Sequence, residues 1–307
     1  MYPTARILVP TAKDFEPVNR REFLNRIMTD DWDMVLLAES QMSRIQNHKE
    51  AQEAFIQEQI DEYEQILLEA GDKMDKTTRK DLEKKLKNLE KKLEEIMARL
   101  EDKEEVYWED LGVDMIIVDE AERHKNLRFV TAMNRIRGLP NSHSDRAMSM
   151  FLKTRDVMKR TGGRRGVVFA TGTPIANSNA ELWTQMRYLA PDLMEQLGLN
   201  HFDSWASSFA DSEYGVEMLA TGEYKNVMRF KKWQNAPEMS HIFQQVADVR
   251  MLEDLPDIQA RVPRLVGGQR EEVVVPMNAW QKAKMKELQR RASHLPADKR
   301  KDNMLKI

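Results

Sequence analysis

The run Val113-Asp114-Met115-Ile116-Ile117-Val118 is short, almost wholly apolar, and ends abruptly in Asp119-Glu120. Such a run reads as a buried parallel strand, and the carboxyl end of a parallel strand opens on a crevice at the sheet edge, where nucleotides bind in open α/β sheets. Two adjacent carboxylates delivered there can divide the labour of phosphoryl transfer. Asp119 would hold Mg²⁺ through its waters, and Glu120 would orient the water that attacks a γ-phosphate. Asp119 and Glu120 are therefore the candidate catalytic and ATP-binding residues, with Asp119 the candidate Mg²⁺ site. A second apolar run, Val167-Val168-Phe169-Ala170, ends in Thr171-Gly172-Thr173-Pro174. Its two hydroxyls flank a glycine, suited to hydrogen bonding with the acidic pair, and Pro174 sets the exit toward a helix.

Elements that could position these groups follow from the hydrophobic pattern. Residues 6–10 and 33–38 read as strands with a helix over 19–28 between them, a βαβ rhythm. Residues 115–118 and 167–170 continue the pattern, the latter preceded by a helix over 147–160. The expected fold class is α/β, a parallel RecA-like sheet covered by helices. Between the second and third strands lies an insert in which Leu82, Leu86, Leu89, Leu93, Ile96 and Leu100 recur at steps of four and three. Ile56, Ile60, Tyr63, Leu67 and Ala70 form an earlier seam. This predicts an antiparallel helical coiled-coil hairpin, its first helix ending at Gly71-Asp72 and its second starting near Thr78 with Asp81 three residues on. After Pro191 the chain reads as mostly helical, with Phe202, Trp205, Phe209, Tyr214, Tyr224, Phe230 and Trp233 as packing residues. The expected organisation is a partial RecA-like lobe over 1–48 and 106–190, the hairpin over 49–105, a helical extension over 191–280, and a last segment over 281–307. Met228 to Lys232 is the best basic patch of the later region. It reads either as a solvated helix face or as a nucleic-acid contact through Arg229, Lys231 and Lys232. The lysines and glutamates of the insert read as a solvated face.

Composition removes several alternatives. With 307 residues the chain can bury a core without staples, and with no cysteine it has neither disulfides nor thiolate-held metals, which suits a cytoplasmic location. No run approaches the ~20 apolar residues of a membrane span. A net charge of −3 supplies no overall attraction to DNA, so phosphate contacts would have to be local. The six histidines are scattered without a His-Glu-x-x-His pattern, arguing against catalytic zinc. Ser142, His143 and Asp145 sit in a polar loop, a poor way to align a triad.

Asp119-Glu120-Ala121-Glu122 resembles the DEAD/DEAH-type box of superfamily 2 helicases, and Ala170-Thr171-Gly172-Thr173-Pro174 resembles the element that couples hydrolysis to movement in that superfamily. Asn177, Glu181-Leu182-Trp183, Tyr188-Leu189-Ala190-Pro191, residues 202–209, residues 249–256 and residues 273–281 resemble the corresponding parts of its Snf-type branch. With Asp31-Trp32-Asp33, the coiled insert and Lys125-Asn126, the chain is similar to large bacterial, phage and mobile-element proteins that join such a motor to an adenine-specific DNA methylase. The residues present carry no methylase motif.

The resemblance implies an ATP hydrolase using ATP and Mg²⁺ to move on double-stranded DNA. Its implied partners in the same polypeptide are a second motor lobe, to which residues 281–307 would start the connection, and a fused methylase. Glu122, Thr171, Gly172, Thr173 and Pro174 would couple hydrolysis to movement. Ser40, Gln41 and Asn177 would join Arg229, Lys231 and Lys232 as nucleic-acid contacts. Two departures stand out. There is no Gly-Lys dipeptide, so a phosphate loop is missing, and Gly162-Gly163-Arg164-Arg165-Gly166 precedes a strand and reads as a turn. On the resemblance, the chain is expected to lack a phosphate loop before it and a second lobe after it, and to be inactive alone. Glu122 stands where the family commonly has histidine, placing an acceptor-only carboxylate beside two others, which raises carboxylate pKa values unless a cation offsets it. A degenerate motor serving as a DNA-binding or scaffolding module of an anti-restriction or mobile-element protein is the alternative reading.

Overall fold

A computed structural model describes residues 3–71, 74–99, 105–133, 136–137, 139, 144–176, 178–219, 221–263, 267–268 and 272–294, the side chains of 137 and 231 excepted. The described elements are β1 (Ile7–Leu8), α1 (Arg20–Thr29), β2 (Met34–Val35), α2 (Glu39–Met42), α3 (Lys49–Ala70), α4 (Lys76–Met97), β3 (Ile116–Val118), β4 (Ile136–Arg137), α5 (Asp145–Thr161), β5 (Val167–Phe169), α6 (Ala180–Leu189), α7 (Pro191–Gln196), α8 (Phe202–Phe209), β6 (Ala210–Met218), β7 (Tyr224–Trp233), α9 (Ala236–Gln244), α10 (Pro256–Gln259) and α11 (Ala279–Ser293). The class is mixed α/β with small parallel sheets. Two compact units divide the chain, the first Met1–Asp211 with Phe230–Ala236, the second Ser212–Arg229 with Pro237–Ile307. No helix among the described residues is long and apolar enough to cross a membrane.

In the first unit the four expected strands form two separate parallel pairs instead of one continuous sheet. β1 pairs with β2 in the register Ile7↔Met34 and Leu8↔Val35, and β3 pairs with β5 in the register Ile116↔Val167 through Val118↔Phe169. Because side chains alternate across a strand, each pair has two faces. Leu8, Ile116 and Val118 are buried in the core, with Val35, Val167 and Phe169 packed against it. The opposite faces are bare: Ile7 and Met34 are 49% and 48% exposed, and Ile117 and Val168 are 62% and 42% exposed. Apolar residues on both faces are the signature of parallel strands covered on both sides, and here one side has its cover.

α5 is capped at its start by Ser144, whose side chain accepts from the Ala147 amide, and ends on Gly162 in the left-handed region (φ 79). The glycine cluster is the turn that the sequence predicts. Gly166 (φ +77) is where its glycine matters most, since a Cβ there would collide with the Asp114 carbonyl and stand 2.7 Å from Val157 Cγ1. The turn thus delivers β5 directly alongside β3, with the Ile116 amide donating to the Gly166 carbonyl at 2.7 Å.

α3 and α4, each 22 residues long, pack on one another. Phe55, Ile56, Ile60 and Tyr63 of α3 and Leu82, Leu89 and Ile96 of α4 are buried, and Leu86 and Leu93 pack against them. This is the seam read from the four-and-three spacing, with Leu100 outside the described residues. α4 starts earlier than Thr78 because Asp75 is its N-cap. The Asp75 carboxylate accepts from the amides of Thr77 and Thr78, satisfying two donors that a helix end leaves open.

The mostly helical reading of residues 191–280 needs correction, since β6 and β7 are strands joined by a turn. Burial alternates along β6 with period two, a strand pattern that the aromatic spacing concealed. Gly222 supplies the left-handed turn residue (φ +88), where its amide donates to the Leu219 carbonyl and the Leu219 amide to the Glu223 carbonyl. The basic patch at residues 228–232 therefore lies on a strand, not on a helix face. Phe202, Trp205, Phe209 and Phe230 are buried as packing residues, whereas Tyr214 and Tyr224 are exposed.

Candidate nucleotide and nucleic-acid site

The acidic pair emerges where β3 ends. Ala170, just past β5, donates its amide to the Val118 carbonyl (2.8 Å) and accepts the Ala121 amide (3.1 Å), so the two strand exits are pinned side by side. Glu120 turns the chain with φ 52 and ψ 48, a left-handed conformation that non-glycine residues rarely adopt. The Asp119 carboxylate accepts the Glu120 amide at 3.0 Å. A short 3-10 turn over Ala121–His124 then presents Glu122, which accepts the Thr171 hydroxyl at 2.5 Å. Thr171 also accepts the Thr173 amide at 3.1 Å, ordering the Thr-Gly-Thr turn. Two motifs 49 residues apart are thus joined by one hydrogen bond between side chains. Pro174 is held through its carbonyl, which accepts from Gln185 of α6 at 2.5 Å. Gly172 has open space around it.

The electrostatics of the three carboxylates are uneven. A hydrogen bond with Glu122, together with the charges of Glu122 and Asp119, raises the Glu120 pKa above its usual value. Glu122 is lowered, first by the Thr171 hydroxyl and then by Glu120. Of the two, Glu120 is the more readily protonated. Changing Glu122→Gln keeps an acceptor for Thr171 and gives Glu120 an amide donor, so the Glu120 pKa falls. If Glu120 is the base, the acidic limb of the activity profile moves to lower pH, and a pH titration of ATP turnover checks it.

Several neighbours were not foreseen. Glu39, at the start of α2, holds both Arg123 (2.7 Å) and Arg146 (2.6 Å), so Arg123 is drawn to α2 rather than directly onto Glu120. In the sequence Glu39 simply follows the apolar run of residues 33–38, which gives no local sign of these partners. The same link brings α2, with Ser40 and Gln41, beside the acidic turn. Gln41 uses its side-chain oxygen to accept the Ala38 amide, and Ser40 offers its carbonyl to the Ser43 hydroxyl. Lys125 pairs with Glu181 at 3.0 Å, and Glu181 also accepts the Ala176 amide, tying the acidic segment to the Thr-Gly-Thr-Pro exit. His124 points inward, and burial lowers its pKa to about 4, keeping it neutral. Beneath it Lys153 donates to the Ile45 carbonyl, Asn47 and Ser149, and burial lowers its pKa to about 7.

The other nucleic-acid candidates are dispersed. Arg229 pairs with Glu217 within the β6–β7 hairpin of the second unit. The backbone carbonyl of Lys232 accepts from Asn179 in the first unit. Asn177, Ser142, His143 and the side chain of Lys231 lie outside the described residues. Asp145 is the first residue of α5 and pairs with Lys92 at 2.6 Å.

A family described as a probable helicase domain matches residues 1–251. The chain belongs to that helicase-type family. It is 25% identical over 189 residues to the defense against restriction protein B of Escherichia phage P1, a match covering 61% of this chain and 8% of that protein. It is 28% identical over 122 residues to the lymphoid-specific helicase of Homo sapiens, covering 40% of this chain and 11% of that protein. The chain thus matches only a small part of the length of these curated relatives. No solved structure matches it significantly.

Proposed function

We propose that this helicase-type chain is the acidic-box part of the first, RecA-like lobe of a Snf-type superfamily 2 motor, which couples ATP hydrolysis to movement on double-stranded DNA. The observation that carries the reading is the Thr171–Glu122 hydrogen bond at the adjoining ends of β3 and β5. It makes any shift of the Thr-Gly-Thr turn felt at the carboxylates that would face the γ-phosphate. The chemistry of the donor set fits Mg²⁺. Asp119 and Glu120 are exposed at a strand end, and Arg123, the nearest guanidinium in sequence, is engaged by Glu39. Asp119 would hold the ion through water and Glu120 would orient and deprotonate the attacking water. When bound, Mg²⁺ offsets charge on the transferring phosphoryl group.

In this proposal the phosphate-binding lysine, a second lobe and a fused methylase belong to the wider polypeptide, and the insert of α3 and α4 is a coiled-coil arm. Ser40, Gln41, Arg229, Lys231 and Lys232 remain proposed backbone contacts to DNA, with Asn177. The location proposed is the cytoplasm. Displacement of a third strand from a triplex on duplex DNA, with ATP, tests translocation. Displacement that requires ATP supports the reading, and ATP turnover with the third strand left in place overturns it.

A second reading is favoured by Glu122. A carboxylate beside Glu120 raises its pKa, which leaves less of it ionised as pH falls, and stands where the coupling element meets the acidic turn, as in a degenerate motor kept as a DNA-binding or scaffolding module. DNA binding without any ATP turnover in the natural polypeptide would favour it.

A further inference from the structure

Away from the acidic turn, a cavity of about 230 Å³ lies in the first unit between α3 and the helices α5, α6 and α7. Its walls include Gln59 and Glu58 of α3, Arg155 of α5, Trp183 and Arg187 of α6, and Phe129. Gln59 is 1% exposed, and its side-chain oxygen is buried without a hydrogen-bond partner. An unpaired buried acceptor costs free energy unless something that donates arrives. Two guanidiniums line the same cavity, Arg187 buried and Arg155 half-buried. Arg187 packs over Phe151 and Trp183 at 5.2 and 4.9 Å, and Arg155 over Phe151 at 4.6 Å. Aromatic rings occupy their faces, which leaves their planar donor edges for acceptors. Arg187 spends one donor on the Arg128 carbonyl at 2.8 Å. Among the described residues neither guanidinium has a carboxylate within ion-pair distance, and Glu58 acts on both only across the gap. Buried charge held unpaired in this way is expensive.

The lining discriminates between ligands. A simple anion would suit the arginines but meet Glu58 and Asp61 on the α3 wall, where Glu62 is already paired with His201 at 2.6 Å, and a simple cation would meet the reverse problem. A neutral planar ring with acceptors and donors along one edge could serve both kinds of group that line the cavity, its acceptors toward Arg155 and Arg187 and its donors toward Glu58 and Gln59. The aromatic wall of Phe129 and Trp183 suits its apolar body. That donor and acceptor pattern is the base-pairing edge of a nucleobase, accessible only when the base is unpaired. We propose that this cavity is a binding site for one unpaired nucleobase, independent of the acidic turn.

The test titrates the protein, by isothermal calorimetry, with deoxyguanosine, deoxycytidine, deoxyadenosine and thymidine. A duplex carrying one bulged base and its fully paired counterpart are titrated in parallel. Binding of a free nucleoside identifies a small-molecule source; preference for the bulged over the paired duplex identifies DNA as the source. In either arm Gln59→Leu, which keeps size and removes the orphaned amide, is expected to weaken binding at least tenfold while the unfolding midpoint holds or rises. Arg155→Met is expected to weaken it similarly. The proposal is overturned if no nucleoside binds and the two duplexes bind alike, or if Gln59→Leu binds as tightly as the original protein.

Discussion

Glu120→Gln, introduced into the natural polypeptide, lowers DNA-stimulated ATP turnover by about 10² to 10⁴-fold while ATP binding persists. Glutamine preserves the size of the side chain, tolerates the same left-handed backbone at φ 52, and removes one negative charge from a cluster of three carboxylates. In the role proposed for Glu120, what it removes is the ability to take a proton from the attacking water. Because the like charge of Glu120 no longer opposes the nucleotide, affinity for MgATP holds or improves. The loss therefore falls on turnover, and single-turnover hydrolysis with labelled ATP separates the two quantities. An unchanged rate would remove Glu120 from the chemistry, and with it the enzyme reading.

Trp183→Ala destabilises the first unit by about 4 kcal/mol, the middle of the range for deleting a large buried aromatic side chain. Trp183 is 1% exposed, and its indole nitrogen donates to the Leu199 carbonyl at 2.8 Å. Its ring stands edge to face with Phe129 and with Phe202, each at 5.2 Å. Truncation leaves a cavity among α6, α8 and the Phe129 segment, orphans the Leu199 carbonyl, and strips an aromatic surface from beneath Arg187. Urea unfolding followed by circular dichroism measures the change, with the exposed Tyr224→Ala as a control expected within about 0.5 kcal/mol. A loss below about 1 kcal/mol for Trp183→Ala would contradict the packing described.

Much of the first unit is legible in the chain because its signals are local. Four apolar runs mark β1, β2, β3 and β5, and apolar residues at steps of four and three, Ile56, Ile60 and Tyr63 in α3 and mainly leucines in α4, mark the packed faces of those helices. The single sheet expected from those runs is replaced by two parallel pairs, since hydrophobicity predicts that strands exist but not which of them are neighbours. The β6–β7 hairpin was hidden because Phe202, Trp205 and Phe209 set a helical rhythm that the following aromatics superficially continue, while the alternation after Ala210 is carried by polar residues. At the candidate site, residue types drew attention to Asp119, Glu120 and Thr171. Glu39, which gathers Arg123 and Arg146 from 84 and 107 residues away, could not be found by any local pattern. Lys153 and Gln59 were missed for the same reason: a lysine or glutamine on an amphipathic helix reads as solvated, and only tertiary packing buries it.

The account rests on Asp119 and Glu120 acting on MgATP in a motor that responds to DNA. The most direct measurement is steady-state ATP hydrolysis by the natural polypeptide, with and without duplex DNA and with and without Mg²⁺. The account predicts hydrolysis that requires Mg²⁺ and rises when duplex DNA is added; hydrolysis absent under every condition, in a polypeptide that still binds DNA, would contradict it.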